Sequence, residues 1–466
     1  MLFSSFTFLC FFLPFVVGIY YILYPVFRNT FLLMASLFFY GLGRLDHLLI
    51  MVMIVCAVYT GAMFIDKYSK EWARKSILTA TVSFVMGVLF YYKYMGFAIE
   101  NIPPFFDVDP IFLDVVLPIG ISFYTFQAFS YLFDVYYKKV LFQKNFFRLL
   151  LYISLFPQLV AGPIVRYADV SKQLVFRHHS LFKIKTGFER FLIGLGKKVI
   201  LANTLADTVD KIFATAPEQL SVPVVWIGMI CYSLQLYFDF SGYSDMAIGM
   251  GRMFGFKFLE NFNYPYVSRS ITEFWRRWHM SLSGWFKQYL YIPLGGNKKG
   301  FVRTLINLSI VFLLTGMWHG AAWTFVLWGV WHGFFVICEK IVNRFNLLPY
   351  SFLSKIARIY TLFVVMVGWV LFRSDSVDYA RKYLLSLFGL IEMHPSYGVG
   401  YYISSGEVLL TCIGIFAAFG GFKRLASVMK FKGAGIISGL YAWGVLVISI
   451  CLLTASGYNP FIYFRF

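Results

Sequence analysis

The stretch from Leu48 to Ile65, LLIMVMIVCAVYTGAMFI, carries no charged side chain. A segment of this kind constrains folding more than any motif. About 20 mostly apolar residues make a helix that crosses the hydrocarbon core of a bilayer, and there every backbone polar group must be satisfied within the protein. Comparable runs begin near Ser4, Phe31, Ile77, Val115, Phe146, Gly187, Val222, Phe301, Ala321, Ile359, Glu407 and Ile436. Composition points the same way. Of 466 residues, 59% are hydrophobic and 14% charged, and the mean hydropathy is +0.71; a soluble domain has about 45–50% apolar and about 25% charged residues. The reading is an all-α, polytopic membrane protein, one membrane domain over residues 1–466, with some segments re-entrant or interfacial. Proline and glycine interrupt several runs, as in SLFPQLVAGP from Ser154 to Pro163. Irregular backbone at membrane depth needs protein or a water-filled cavity around it, which points to an internal chamber.

The net charge of +19 fits the bias of basic residues toward cytoplasmic loops. Asp66 to Ser76, Lys138 to Arg148 and Arg166 to Arg190 are basic, whereas Glu100 to Asp114 holds Glu100, Asp107, Asp109 and Asp114 with no Lys or Arg. The expectation is a multi-pass protein of the cytoplasmic (inner) membrane with the acidic loop and both termini extracytoplasmic. Aromatic residues, 21% of the chain, suit contact with membrane lipids. A nucleic-acid partner would need a basic soluble domain, and none is legible. Cys10, Cys56, Cys231, Cys338, Cys412 and Cys451 stand singly in apolar runs, which reads as small buried residues and not as a disulfide or zinc framework. The start, MLFSSFTFLCFF, lacks a basic n-region and reads as a retained first span.

Three stretches carry candidate chemistry. Leu313 to Gly333, LLTGMWHGAAWTFVLWGVWHG, repeats Trp-His-Gly. One unbroken helix would point its two histidines about 140° apart, so they share a pocket only if Gly316, Gly320 or Gly329 breaks the helix. His319 reads equally as a packed neutral side chain or as a functional group; His332, near Glu339 and Lys340, reads better as packed or reaching an interface. In Ser268 to Gly296, Ser270 and Glu273 form a capping-box pattern. Phe274, Trp278, Leu282, Trp285 and Phe286 then share one helical face, with Arg276, Arg277 and Lys287 off it. This reads as an interfacial helix with rings in the acyl boundary. Its arginines meet either lipid headgroups or a phosphate-rich donor, and His279 edges toward the buried side. In Gln235 to Gly251, Asp239 and Asp245 lie in apolar sequence with Ser241 and Tyr243. They either line a polar cavity or cap a helix broken at Ser241-Gly242. The run Gly242-Tyr243-Ser244-Asp245 lacks the closing Gly of a nucleophile elbow. His178-His179 has poor metal-ligand geometry, and no H-x-x-x-H appears, so no metal site is expected.

Taken together, LPIGISFYTFQAFSYLFDVY (Leu117 to Tyr136), LFPQLVAGPIVRY (Leu155 to Tyr167), LQLYFDFSGYSDMAIGMG (Leu234 to Gly251), Glu260 to Gly296, GMWHGAAWTFVLWGVWHG (Gly316 to Gly333) and NPFIYFRF (Asn459 to Phe466) resemble the membrane-bound O-acyltransferase family, nearest its bacterial alginate O-acetyltransferase branch. The resemblance covers nearly the whole chain. It implies a multi-helix bundle with a central funnel or tunnel, and transfer of an acyl group from a thioester to a hydroxyl. The family's buried histidine matches His319 and its second polar position matches His279. The motif often read as GGLWHG is TGMWHG here. Substrate-binding candidates are then Trp318 and Trp278 beside the histidines, Arg276 and Arg277, and the polar set Asp239, Ser241, Tyr243 and Asp245. No cofactor is expected to be bound: the donor substrate is an acetyl-thioester on coenzyme A or on an acyl carrier protein. The resemblance also implies an extracytoplasmic polysaccharide acceptor, as in exopolysaccharide O-acetylation, and a periplasmic transferase partner. Peptidoglycan O-acetylation, D-alanyl transfer to teichoic acid, or transport of a lipid-linked glycan without chemistry are the rivals. In the expected mechanism an uncharged imidazole at residue 319 takes the hydroxyl proton as the oxygen attacks the thioester, and the apolar wall excludes water.

Overall fold

The computed structural model describes residues 3–101, 116–160, 162–346, 350–428, 434–455 and 462. Asp107, Asp109 and Asp114 of the acidic loop, and Asn459 to Phe466 apart from Ile462, lie outside them. Every regular element described is helical. The chain forms two compact units, Met1–Phe191 with Ser244–Leu259, and Leu192–Tyr243 with Glu260–Phe466.

The first unit contains α1 (Leu13–Ile22), α2 (Arg28–Gly41), α3 (Leu45–Lys67), α4 (Glu71–Lys93), α5 (Ile121–Tyr136) and α6 (Phe146–Ser154). Of these, α3 and α4 are long and apolar enough to cross a membrane. The runs near Val115 and Phe146, expected as spans, instead give helices of 16 and 9 residues, short of the ~17 a span needs. The reason is legible in the burial. Along α5 nearly every residue is buried, Thr125, Gln127, Ser130 and Asp134 included, so its apolar residues face protein. The interruption that begins at Ser154 is enclosed over its described residues. Leu155 and Phe156 are buried, and the Phe156 N–H donates to Ser36 Oγ at 3.1 Å. In this unit Arg190 Nε donates to Asp245 Oδ1 at 2.7 Å.

Next come α7 (Leu181–Gly196), a π-helical segment at Lys197–Ala202, α8 (Asn203–Ala214) and α9 (Val222–Met253). The last is unbroken over 32 residues. Ser241-Gly242 therefore does not end a helix, and the capping alternative for Asp239 and Asp245 falls. Gly242 serves close approach: a Cβ there would stand 2.7 Å from the Gly194 carbonyl oxygen and 3.0 Å from Lys198 N.

The second unit goes on through α10 (Ile271–Arg277), α11 (Met280–Phe286), α12 (Phe301–His319), α13 (Trp323–Phe345), α14 (Tyr350–Arg373), α15 (Ser405–Ala418) and α16 (Ala434–Ala455). Long apolar helices here are α9, α12, α13 and residues 356–373 of α14. The chain turns between α12 and α13, where Gly320 and Ala322 are extended. The two helices then run together at glycine positions, since a Cβ at Gly329 would lie 2.5 Å from the Phe312 carbonyl oxygen. Trp331 Nε1 ties α13 to α14 through the Val364 carbonyl oxygen at 2.9 Å.

Ser270 caps α10, its Oγ accepting the Glu273 N–H at 2.9 Å. Glu273 returns its carboxylate to the Arg269 N–H at 2.9 Å, one residue earlier than in the reciprocal box. Glu339 of α13 accepts the Thr272 N–H at 2.9 Å and its hydroxyl at 2.8 Å, placing a carboxylate on the positive end of α10. The single interfacial helix expected from residue 270 onward is corrected in two ways. It breaks at Trp278-His279, where His279 has φ +42°. Its apolar face is also not laid in lipid: Phe274, Trp278, Leu282, Trp285 and Phe286 are all at most 6% exposed, packed inside protein.

Candidate active site

Three imidazoles of the second unit gather on tryptophan. His319, the last residue of α12, has its ring centroid 4.9 Å from Trp318, 4.9 Å from Trp328 and 5.1 Å from Phe372. His279 lies 6.2 Å from Trp318, and His332 lies 5.1 Å from Trp328. The break at Gly320 thus meets the condition under which His319 and His332 come together. His332 does not reach an interface. It is fully buried among Phe274, Trp275, Trp328 and Trp369, and Gly368 makes room for it, a Cβ there falling 2.6 Å from its Nε2.

His279 is fully buried too. Its ring meets Phe240 at 4.6 Å, its Nδ1 lies 3.2 Å from Asn261 Oδ1, and its Nε2 has no partner among the described residues. Burial pushes this imidazole from its ordinary 6.5 down to about 3, so it is uncharged at neutral pH. Trp278 joins the same cluster through Trp369 at 4.8 Å and Phe262 at 5.0 Å.

The other expected binding residues stand differently. Arg276 is exposed. Arg277 is spent on Glu273, at 2.9 Å, and on the Asn263 carbonyl oxygen at 3.2 Å. Asp239 pairs with Lys198 at 2.7 Å and accepts the Ile462 N–H at 2.9 Å. Ser241 and Tyr243 are buried. Asp245 is engaged by Arg190 in the first unit.

A cavity of about 220 Å³ has Gln235, Phe325, Phe372, Arg373, Asp375 and Ile462 in its wall and no histidine. Phe372 touches both the His319 ring and the cavity. Arg373 is held there by Asp210 at 2.9 Å. Sequence reasoning passed over Asn261, Phe372 and Arg373. None of these stands next to a histidine in the chain, and no local pattern marks them.

The sequence profile of the membrane-bound O-acyltransferase family matches residues 32–373. The chain belongs to that family. Over the full length of both proteins it is 37% identical to the probable alginate O-acetylase AlgI of Pseudomonas putida. It is 35% identical to the peptidoglycan O-acetyltransferase of Helicobacter pylori, over 78% of this chain and 75% of that one. With the teichoic acid D-alanyltransferase of Bacillus subtilis it shares 31% identity over 49% of this chain and 60% of the relative. The protein is a multi-pass membrane O-acyltransferase, which sets aside transport without chemistry.

Proposed function

We propose that this O-acyltransferase moves an acetyl group from a cytoplasmic thioester, on coenzyme A or an acyl carrier protein, to a hydroxyl on the extracytoplasmic side, toward an exopolysaccharide and by way of a periplasmic transferase. The observation that carries the reading is the place of His319. It is 6% exposed, walled by tryptophan and phenylalanine, and one ring away from a cavity with polar walls. An uncharged imidazole so placed can take a proton from a hydroxyl while thioester hydrolysis is suppressed by the shortage of water. His319 is the proposed base, and Trp318 packs against both it and His279.

Charge supports a direction. Lys298, Lys299 and Arg303 stand at the start of α12, and Lys340 and Arg344 at the end of α13. By the positive-inside bias that end is cytoplasmic. At ~1.5 Å per residue, α12 carries His319 to its opposite end, where Arg373, Ser374 and Asp375 border the cavity. The acceptor therefore enters from outside. Both termini are proposed to lie on that side, and the membrane to be the cytoplasmic one. Similarity to the Helicobacter pylori protein favours peptidoglycan as the second acceptor to test. In sealed vesicles loaded with labelled acetyl-thioester, wild-type protein should acetylate an external hydroxyl acceptor and His319→Ala should not. Equal labelling by both would end the reading.

A further inference from the structure

His279 and His319 are not chemically equivalent, and the difference lies in Asn261. Its Oδ1 receives the Ser281 N–H at 3.2 Å and the Ser281 hydroxyl at 2.9 Å. A backbone N–H only donates, so this terminal atom of Asn261 is the oxygen and not the amide nitrogen. An amide oxygen only accepts. His279 Nδ1, 3.2 Å from the same oxygen, must then be the donor. A neutral imidazole carries one N–H, and that leaves Nε2 as a bare lone pair. It is fully buried and has no partner among the described residues.

The chain holds this arrangement against its own preferences. His279 sits at φ +42°, a conformation that residues with a side chain seldom adopt and that concentrates at functional sites. The Met280 N–H donates to the Asn261 carbonyl oxygen at 2.9 Å, and the Asn263 N–H to the Arg277 carbonyl oxygen at 2.9 Å, so the two strands of the loop are stitched on either side of the ring. Among the described residues the rings packed on the imidazole include Phe240 of α9, Phe262, and Trp318 of α12; the carboxylate next to Phe240, Asp239, is paired with Lys198, and the side chain that meets the His279 ring by a hydrogen bond is Asn261.

We propose that Asn261 is a positioning residue which locks His279 as the Nδ1–H tautomer, so that Nε2 accepts a hydrogen bond from an O–H or N–H of bound substrate. A lone pair there cannot donate to the carbonyl oxygen as negative charge builds on it. His279 is thereby an acceptor that holds substrate, and not part of an oxyanion site. This rests on the acyl-transfer reading, but its first test does not need activity. Two substrate groups offer such a hydrogen: the hydroxyl to be acylated and the amide N–H of a pantetheine-type thioester arm.

The full-length protein, labelled with 15N-histidine in micelles and assigned with His279→Gln, should show Nδ1–H at residue 279. Asn261→Ala should release that tautomer and lower kcat/KM about 10- to 100-fold, the scale of one lost buried hydrogen bond. Asn261→Asp should keep Nδ1–H and recover activity, with the acid limb of the pH profile moved to higher pH because a carboxylate favours the imidazolium. A KM rise for the hydroxyl acceptor or for the thioester tells which group is held. Ser281→Ala, which loosens the same loop from another bond, should leave the pH profile in place. An Nε2–H tautomer in the wild type would overturn the proposal, and so would Asn261→Ala and Asn261→Asp failing alike with an unmoved pH profile.

Discussion

Lys198 and Asp239 form an ion pair whose side chains are 2% and 3% exposed, and the Ile462 N–H also rests on that carboxylate. Removing one partner takes away the other's buried counter-charge, at a cost of about 3–5 kcal/mol. Lys198→Met should lower the melting temperature in micelles sharply, and Lys198→Met with Asp239→Leu should recover most of the loss. If the double variant is no better than the single one, the pair is not what holds this region. His279 makes a second prediction. Its folded value of about 3 lies below the ~6.5 of an unfolded histidine. Between those values the unfolded chain takes up a proton that the folded site refuses. Stability should fall as pH drops from about 6.5 toward 3, and be indifferent to this group above that window. His279→Gln should flatten that part of the melting curve against pH. The Trp-His-Gly repeat made His319 visible in the sequence, and the resemblance to the acyltransferase family made His279 a candidate. Asn261 was invisible because it lies 18 residues before the imidazole it serves, across a loop with no regular period.

Among the elements, hydropathy located the long helices and misjudged the buried ones. A sum of apolar residues does not distinguish a helix wrapped in lipid from one wrapped in protein. That is why α5 and α6 read as spans while their side chains face neighbours. The capping signal at Ser270 was legible because it is local. The break nine residues later was not, because bonds from the segment around Asn261 and Asn263 impose it. The close pairing of α12 and α13 makes a prediction. Gly329→Ala drives a methyl against the Phe312 carbonyl oxygen, and overpacking of this kind costs about 1–3 kcal/mol. Because the same hairpin sets His319 against Trp328, activity should fall more than stability. An active Gly329→Ala protein with an unchanged melting temperature would show that the hairpin tolerates separation.

For the whole molecule, membership in the O-acyltransferase family is established across residues 32–373, and it was readable because long ordered motifs survive in a single sequence. Donor, acceptor and partner have no such signature in this chain. The account rests on one imidazole, that of His319, meeting an external hydroxyl. The direct measurement loads labelled acetyl-thioester into sealed vesicles and follows label to an acceptor added outside, for wild type and for His319→Ala inserted at equal level. The account predicts transfer by the wild type alone. Transfer by both, or transfer only when the acceptor is placed inside, would contradict it.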